Sequence, residues 1–351
     1  MHIDEARLEV LLSKMVSDMG AAAVGPLVVL GDRLGLYKAL AEKGPINTQQ
    51  LADSACLTER YVREWCAAQA GSGYIDFDPD TNQFSMTPEQ QAVFADEDNP
   101  AFMMGGYYAI ASMFIDEPKI RKAFQSGDGV PWGDHSACLF CGTEKFFRPG
   151  YMANLVSDWL PALQGVAERL EQGANVADVG CGHGASTMVM AEAFPRSNFV
   201  GFDLHGPSIE RANAVARESG LGNLRFESAN AKNFPGNEYD LVAFFDCLHD
   251  MGDPVGAAAH TLESLKPGGA MMVVEPFAHD TLEKNLNPVG RMYYSFSTMV
   301  CTPASLSQEV GLALGAQAGE KRLSMVLREG GFSRVRKAAQ TPFNLILEAK
   351  P

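Results

Sequence analysis

The sequence predicts an α/β protein, with a parallel sheet wound by helices in its C-terminal half and a mainly helical N-terminal domain before it. From residue 174 onward, short apolar runs alternate with helical segments. Before residue 172 the apolar residues fall at helical spacing, with one short strand pair among them. A chain of 351 residues, 46% of them hydrophobic, is long enough for two cores, since domains run to roughly 100–200 residues.

Residues 5–43 carry helical spacing through Leu8, Leu11, Leu12 and Met15, then Leu34, Leu36, Tyr37 and Leu40. From Pro45 a strand-like start leads into the helical segments TQQLADSA and TERYVREWCAAQA. YIDFDPDTNQFSMTP follows, and its DPDTN core reads as a hairpin tip. That order resembles a winged helix. Residues 89–172 read as mostly helical, rich in Met and aromatics. In the second half, NVADVG, NFVGFDL, LRFES, YDLVAFFD and AMMVVEP supply strands, with helices from Ala185, from Ser208 and up to Leu265. LSMVLREGGF then reads as a helix, and SRVRKAAQT with FNLILEAKP as an antiparallel hairpin at a sheet edge.

No uninterrupted apolar run approaches the roughly 18 residues of a spanning helix, and MHIDEARLEV lacks the basic start and apolar block of a signal peptide. A cytoplasmic protein is expected. Seven scattered cysteines, an odd number, predict free thiols and no disulfide framework. A net charge of −15 disfavours nucleic acid as a partner, because the field around the molecule repels a polyanion.

VADVGCGHGAST, residues 176–187, sets Gly180, Gly182 and Gly184 between an apolar strand and a helix. Glycine there lets the backbone approach a ligand closely, and the helix N-terminus offers free N–H groups. Asp203 ends the next strand, where a carboxylate accepts from ribose hydroxyls, as in NAD or S-adenosylmethionine sites.

The form D-x-G-x-G-x-G, met by Asp178, Gly180, Gly182 and Gly184, resembles the first motif of class I S-adenosylmethionine-dependent methyltransferases. The resemblance runs through Asp203, SANAKNF and LKPGGAMMVVE, over roughly residues 145–351. It implies a Rossmann-like class I methyltransferase sheet and S-adenosylmethionine as cofactor. By this likeness the loop residues, with Cys181 through its backbone, and Asp203 and Leu204 hold the cofactor. Asn230 and Ala231 fall where the family surrounds the adenine, although many members have Asp at Asn230. Arg148 and Tyr151, upstream of the cofactor strand, are expected over its methionine end.

YDLVAFFDCLHDMGDP places Asp246, Cys247, His249 and Asp250 at the carboxyl edge of the sheet, where ligands of open α/β sheets bind. His249-Asp250 resembles the His-Asp-Trp stretch of small-molecule O-methyltransferases with an N-terminal winged-helix dimerisation domain, with Met251 in place of the Trp. In that family the His removes the acceptor's hydroxyl proton, which makes the oxygen a competent nucleophile. Glu275 matches the family's supporting acid, and Glu320 lies in the region of a second. The alternative for His249 is a helix cap or a cofactor contact.

Tyr107, Tyr108, Met113, Phe146, Phe147 and Tyr151, with Met292, Tyr293, Tyr294, Phe296 and Met299, suit a planar apolar acceptor as a group, and core packing one by one. HSACLFC brings His135, Cys138 and Cys141 to metal-like spacing. No second pair completes four ligands, so pocket lining, with Trp132 nearby, is expected there and no metal site. The resulting expectation is a homodimeric O-methyltransferase acting on a small apolar or aromatic hydroxyl compound. Its domains are 1–100 for dimerisation, 101–172 as helical connector and lid, and 173–351 for catalysis. The rivals are a C-methyltransferase of quinone-like molecules and a ligand-responsive DNA-binding regulator.

Overall fold

The structure, a computed structural model, describes residues 2–351. The N-terminal part runs α1 (Glu5–Arg33), α2 (Leu36–Lys43), α3 (Thr48–Ala55), α4 (Glu59–Gly71), β1 (Asp76–Asp78), β2 (Gln83–Ser85) and α5 (Pro88–Phe94). Capping boxes start two of these helices: Asn47 with Gln50 at α3, and Thr87 with Gln90 at α5. β1 and β2 pair antiparallel, and Ile46 bridges to Phe84 beside them, so the strand-like start after Pro45 completes the wing. Val28, Leu36, Tyr37, Leu40, Trp65 and Phe94 form this core, within which the Tyr37 hydroxyl donates to Gln69 Oε1 at 2.8 Å. On α4, Arg60 pairs with Glu64 and Arg63 with Glu59, which leaves little basic charge for phosphates.

The expectation about apolar runs needs correction at α1. Its 29 residues, with a mean hydropathy of 1.3 over the best 18-residue window, are long and apolar enough to cross a membrane by length and composition. Sparse charges such as Asp18 interrupt each run, yet they do not lower the average enough. Leu11, Leu12, Met15, Val16 and Met19 lie exposed along this helix, and Lys14 pairs with Asp18 at 2.7 Å.

Helices α6 (Met104–Ser126), α7 (Ala137–Asn154) and α8 (Val166–Gln172) follow. Contacts divide the chain into two compact units. Residues through Ser112, with Cys141–Pro149, belong to the first; Met113–Phe140 and Gly150–Pro351 belong to the second. The connector stretch is thus shared between the units.

The second unit alternates β3 (Asn175–Val179), α9 (Ala185–Ala193), β4 (Asn198–Asp203), α10 (Gly206–Ser219), β5 (Leu224–Ser228), β6 (Tyr239–Phe245), α11 (Pro254–Ser264) and β7 (Leu265–Pro276). Then come α12 (Leu282–Asn285), α13 (Pro288–Phe296), α14 (Thr302–Leu306), α15 (Gly319–Glu329), β8 (Arg334–Gln340) and β9 (Asn344–Lys350). The seven strands lie in the order β5-β4-β3-β6-β7-β9-β8, and β9 alone runs against the others, pairing antiparallel with β7 and β8. The terminal hairpin therefore sits at the sheet edge, as its pattern predicts. β6 and β7 are nearly continuous apolar runs because helices cover both faces. Strand order reverses between β3 and β6, which opens the crevice where such sheets bind ligands.

Candidate active site

The glycine loop leaves β3 with Gly180, Gly182 and Gly184 all at positive φ. A side chain at Gly184 would meet the Phe226 ring at 2.4 Å, whereas one at Gly182 would project into open space. The backbone at Gly182 is thus bare toward solvent, as close approach of a ligand requires. Asp203, at the end of β4, accepts from Gly182 N and His205 N, both at 2.8 Å, so acid and loop are tied together. Burial raises the Asp203 carboxyl, against these backbone donors. Leu204 beside it is 66% exposed, a bare apolar surface next to the acid.

Beneath the loop, Asp178 Oδ2 accepts from the Ser186 and Thr187 hydroxyls at 2.6 and 2.7 Å, while buried Oδ1 has no partner. Burial pushes this carboxyl up to about 6, although the two hydroxyls pull it down. The orphaned oxygen and the bare Gly182 cradle fit a ligand that carries a donor group. Asn230 Oδ1 accepts from Lys232 N at 2.9 Å, so its amide is turned to its own chain, and Ala231 packs on the sheet core.

The β6 and β7 ends hold the second cluster. Asp246 has φ 50, rare for a residue with a side chain. It accepts from Tyr151 Oη at 2.9 Å and Asn344 Nδ2 at 3.2 Å, and burial raises its carboxyl to about 8. The Cys247 thiol donates to the Val179 carbonyl at 3.2 Å. Burial pushes the Cys181 and Cys247 thiols well above the ordinary value, so both stay protonated.

His249, 3% exposed, donates from Nδ1 to Glu275 Oε2, and Glu275 Oε1 accepts from Leu248 N at 2.9 Å and His249 N at 3.3 Å. Glu275 is itself 1% exposed. Nε2 lies 3.1 Å from Asp250 Oδ1, an oxygen that makes no hydrogen bond, and Cys301 closes the group. Burial pulls the imidazole down, yet Asp250 and Glu275 outweigh it and carry the ring well above its usual value. The cluster can hold, take or release a proton at the sheet edge.

Other sequence candidates fall elsewhere. Arg148 lies in the first unit, paired with Asp98 at 3.6 Å. Glu320 pairs with Lys337 at 3.1 Å on the surface; the second acid on His249 is Asp250. His135 donates from Nδ1 to Asp116 Oδ2 at 3.1 Å, and Trp132, Phe140 and His205 form an aromatic row beside it. All seven cysteines are free. Sequence reasoning missed Asn344 and Cys301, and only the His249-Asp250 adjacency signalled the second acid.

Residues 170–331 match the family described as "Methyltransferase domain". This chain carries a methyltransferase domain. Residues 22–95 match an Rv2258c-like winged HTH domain, which agrees with the helices and wing of the first unit. The methyltransferase domain is 34% identical over 107 residues to trans-aconitate 2-methyltransferase of Deinococcus radiodurans, covering 30% of this chain and 40% of that one. Over 192 residues the chain is 26% identical to 2-methyl-6-phytyl-1,4-hydroquinone methyltransferase of Synechocystis sp., covering 53% and 60%. The chain thus spans about half the length of these curated relatives.

Among solved structures, mitomycin 7-O-methyltransferase MmcR superposes with a TM-score of 0.72 at 15% identity, covering 99% of this chain and 100% of that one. Human N-acetylserotonin methyltransferase, in complex with SAM, gives 0.69 at 18%, covering 100% and 99%. At such identities the likeness carries the fold: a class I methyltransferase sheet behind a winged helix.

Proposed function

We propose that the chain transfers the methyl group of S-adenosylmethionine to a hydroxyl on a small apolar or aromatic molecule. The observation that carries methyl transfer is the bare Gly182 backbone tied to Asp203 at the β3–β4 edge. When bound, the cofactor supplies a sulfonium methyl open to in-line displacement. The loop and Asp203 would hold its nucleoside, and Asp178, with its partnerless Oδ1, Asp246 and Tyr151 would hold its polar end. Hydroxyl chemistry is supported by the Glu275–His249 pair. Glu275 fixes the Nδ1–H tautomer, so the Nε2 lone pair receives the hydroxyl proton and Glu275 stabilises the imidazolium.

The exposed apolar face of α1 supports a homodimer in which this helix packs on a second copy, and the reading places the enzyme in the cytoplasm. Incubating the protein and isotope-labelled methyl donor with metabolite extracts, followed by mass spectrometry, tests the assignment. A labelled methyl ether is expected. No labelled small molecule in any extract contradicts it. The likeness to a hydroquinone methyltransferase favours a second reading, C-methylation of a quinone-like acceptor, in which the label appears on ring carbon.

A further inference from the structure

The His249 cluster has a donor set that proton transfer alone does not use. His249 Nε2, Asp250 Oδ1 and Cys301 Sγ lie within 4.8 Å of one another. Because Glu275 accepts the Nδ1 proton, the lone pair of the neutral ring is on Nε2, and it faces the other two donors. Asp250 Oδ1 is buried with no aligned hydrogen bond and lies 3.1 Å from Nε2 as an ion pair, and Cys301 Sγ closes on the same point. A carboxylate behind a histidine whose far nitrogen meets oxygen and sulfur donors is the supporting arrangement of zinc sites. Asp250 keeps 18% of its side chain exposed, which gives an ion a way in from solvent.

We propose that His249, Asp250 and Cys301 bind a borderline-soft divalent cation of the zinc class, and that the ion switches methyl transfer off. Nitrogen, carboxylate and thiolate donors select such an ion over magnesium or calcium, which take oxygen ligands. On binding, the Cys301 thiol and the protonated Nε2 of His249 each lose a proton to solvent, and the Nε2 lone pair so freed is taken up by the ion. The base is then blocked; this part rests on His249 acting as the base.

The test uses the full chain stripped with chelator and titrated with cobalt(II) alone. A thiolate-to-cobalt charge-transfer band saturating at one ion per chain is expected, erased by excess zinc. It should be absent in Cys301→Ser with unchanged circular dichroism, and Glu275→Gln should weaken cobalt binding by about 10- to 100-fold. Zinc at saturation should lower wild-type methyl transfer at least tenfold, while Cys301→Ser, compared with its own zinc-free rate, should resist. Absence of the band in wild type, or its persistence in Cys301→Ser, overturns the site. A band without zinc inhibition overturns the switch. Absence of methyl transfer from the zinc-free protein defeats the functional reading instead, with the cobalt band standing.

Discussion

The two ends of the crevice treat buried charge in opposite ways. At the β3–β4 edge, the hydrogen bonds to Asp178 and Asp203 come from neutral donors, two hydroxyls and two backbone N–H groups, with His205 and His183 adding a weaker pull on Asp203. At the β6–β7 edge, His249 stands between Glu275 and Asp250, so acid and base compensate one another. Carboxylates held by neutral donors keep capacity for an incoming ligand, which suits binding. A histidine between two acids has its charge state set by the protein, which suits proton transfer. Substitutions at the two ends should therefore separate affinity from turnover.

The largest effect is expected at His249. His249→Ala should lower turnover by about two to four orders of magnitude with cofactor affinity nearly intact, since the base acts in the transition state. Steady-state kinetics beside calorimetry measures both. Weakened cofactor binding with normal saturated turnover would move His249 to the binding end and break the contrast. Asp203→Ala should do the reverse, weakening cofactor binding by about 1.5 to 3 kcal/mol, the range for hydrogen bonds to a charged group.

Asp246 sharpens the comparison through stability. Its folded carboxyl, raised to about 8, binds a proton that the unfolded chain has already released above about 4. Stability from this group is therefore lost as pH rises from about 4 to 8. Asp246→Asn removes the titration, and Asn tolerates the positive φ. It should be more stable than wild type at pH 8 by up to about 5 kcal/mol, with the gain shrinking toward pH 4. Denaturant melts at three pH values would reveal it. A gain independent of pH would show that Asp246 is not the group being protonated.

The smallest effect is a displaced pH profile. Because the His249 pKa is raised, its neutral, basic form accumulates above neutrality, and wild-type turnover should climb through the alkaline range. Glu275→Gln removes one of the two charges that favour the imidazolium, so the climb should begin at lower pH. A profile unmoved by this substitution would assign the raised pKa to Asp250 alone.

Local signals made much of this legible. TQQLADSA became α3 at its predicted bounds because cap, periodicity and turn agree within eight residues. The glycine loop and Asp203 were readable because each lies at a strand end, where topology dictates position, and the His249–Glu275 pair through the family resemblance. Contacts between distant segments were not. Asn344 reaches Asp246 from a strand 98 residues away, and Cys301 approaches His249 from the far side of α13. No spacing rule encodes either. The apolar character of α1 escaped because runs were judged unbroken, while a helix averages its sparse charges over its length.

The central claim is that the bare loop at Gly182, tied to Asp203, receives S-adenosylmethionine. Calorimetry of the wild type and Gly182→Asp with S-adenosylmethionine, S-adenosylhomocysteine and NAD tests it most directly. The account predicts that wild type binds the first two and not NAD, and that Gly182→Asp binds none, because the added carboxylate fills the ligand's space and repels its carboxylate. Tight binding of NAD with none of S-adenosylmethionine would contradict it.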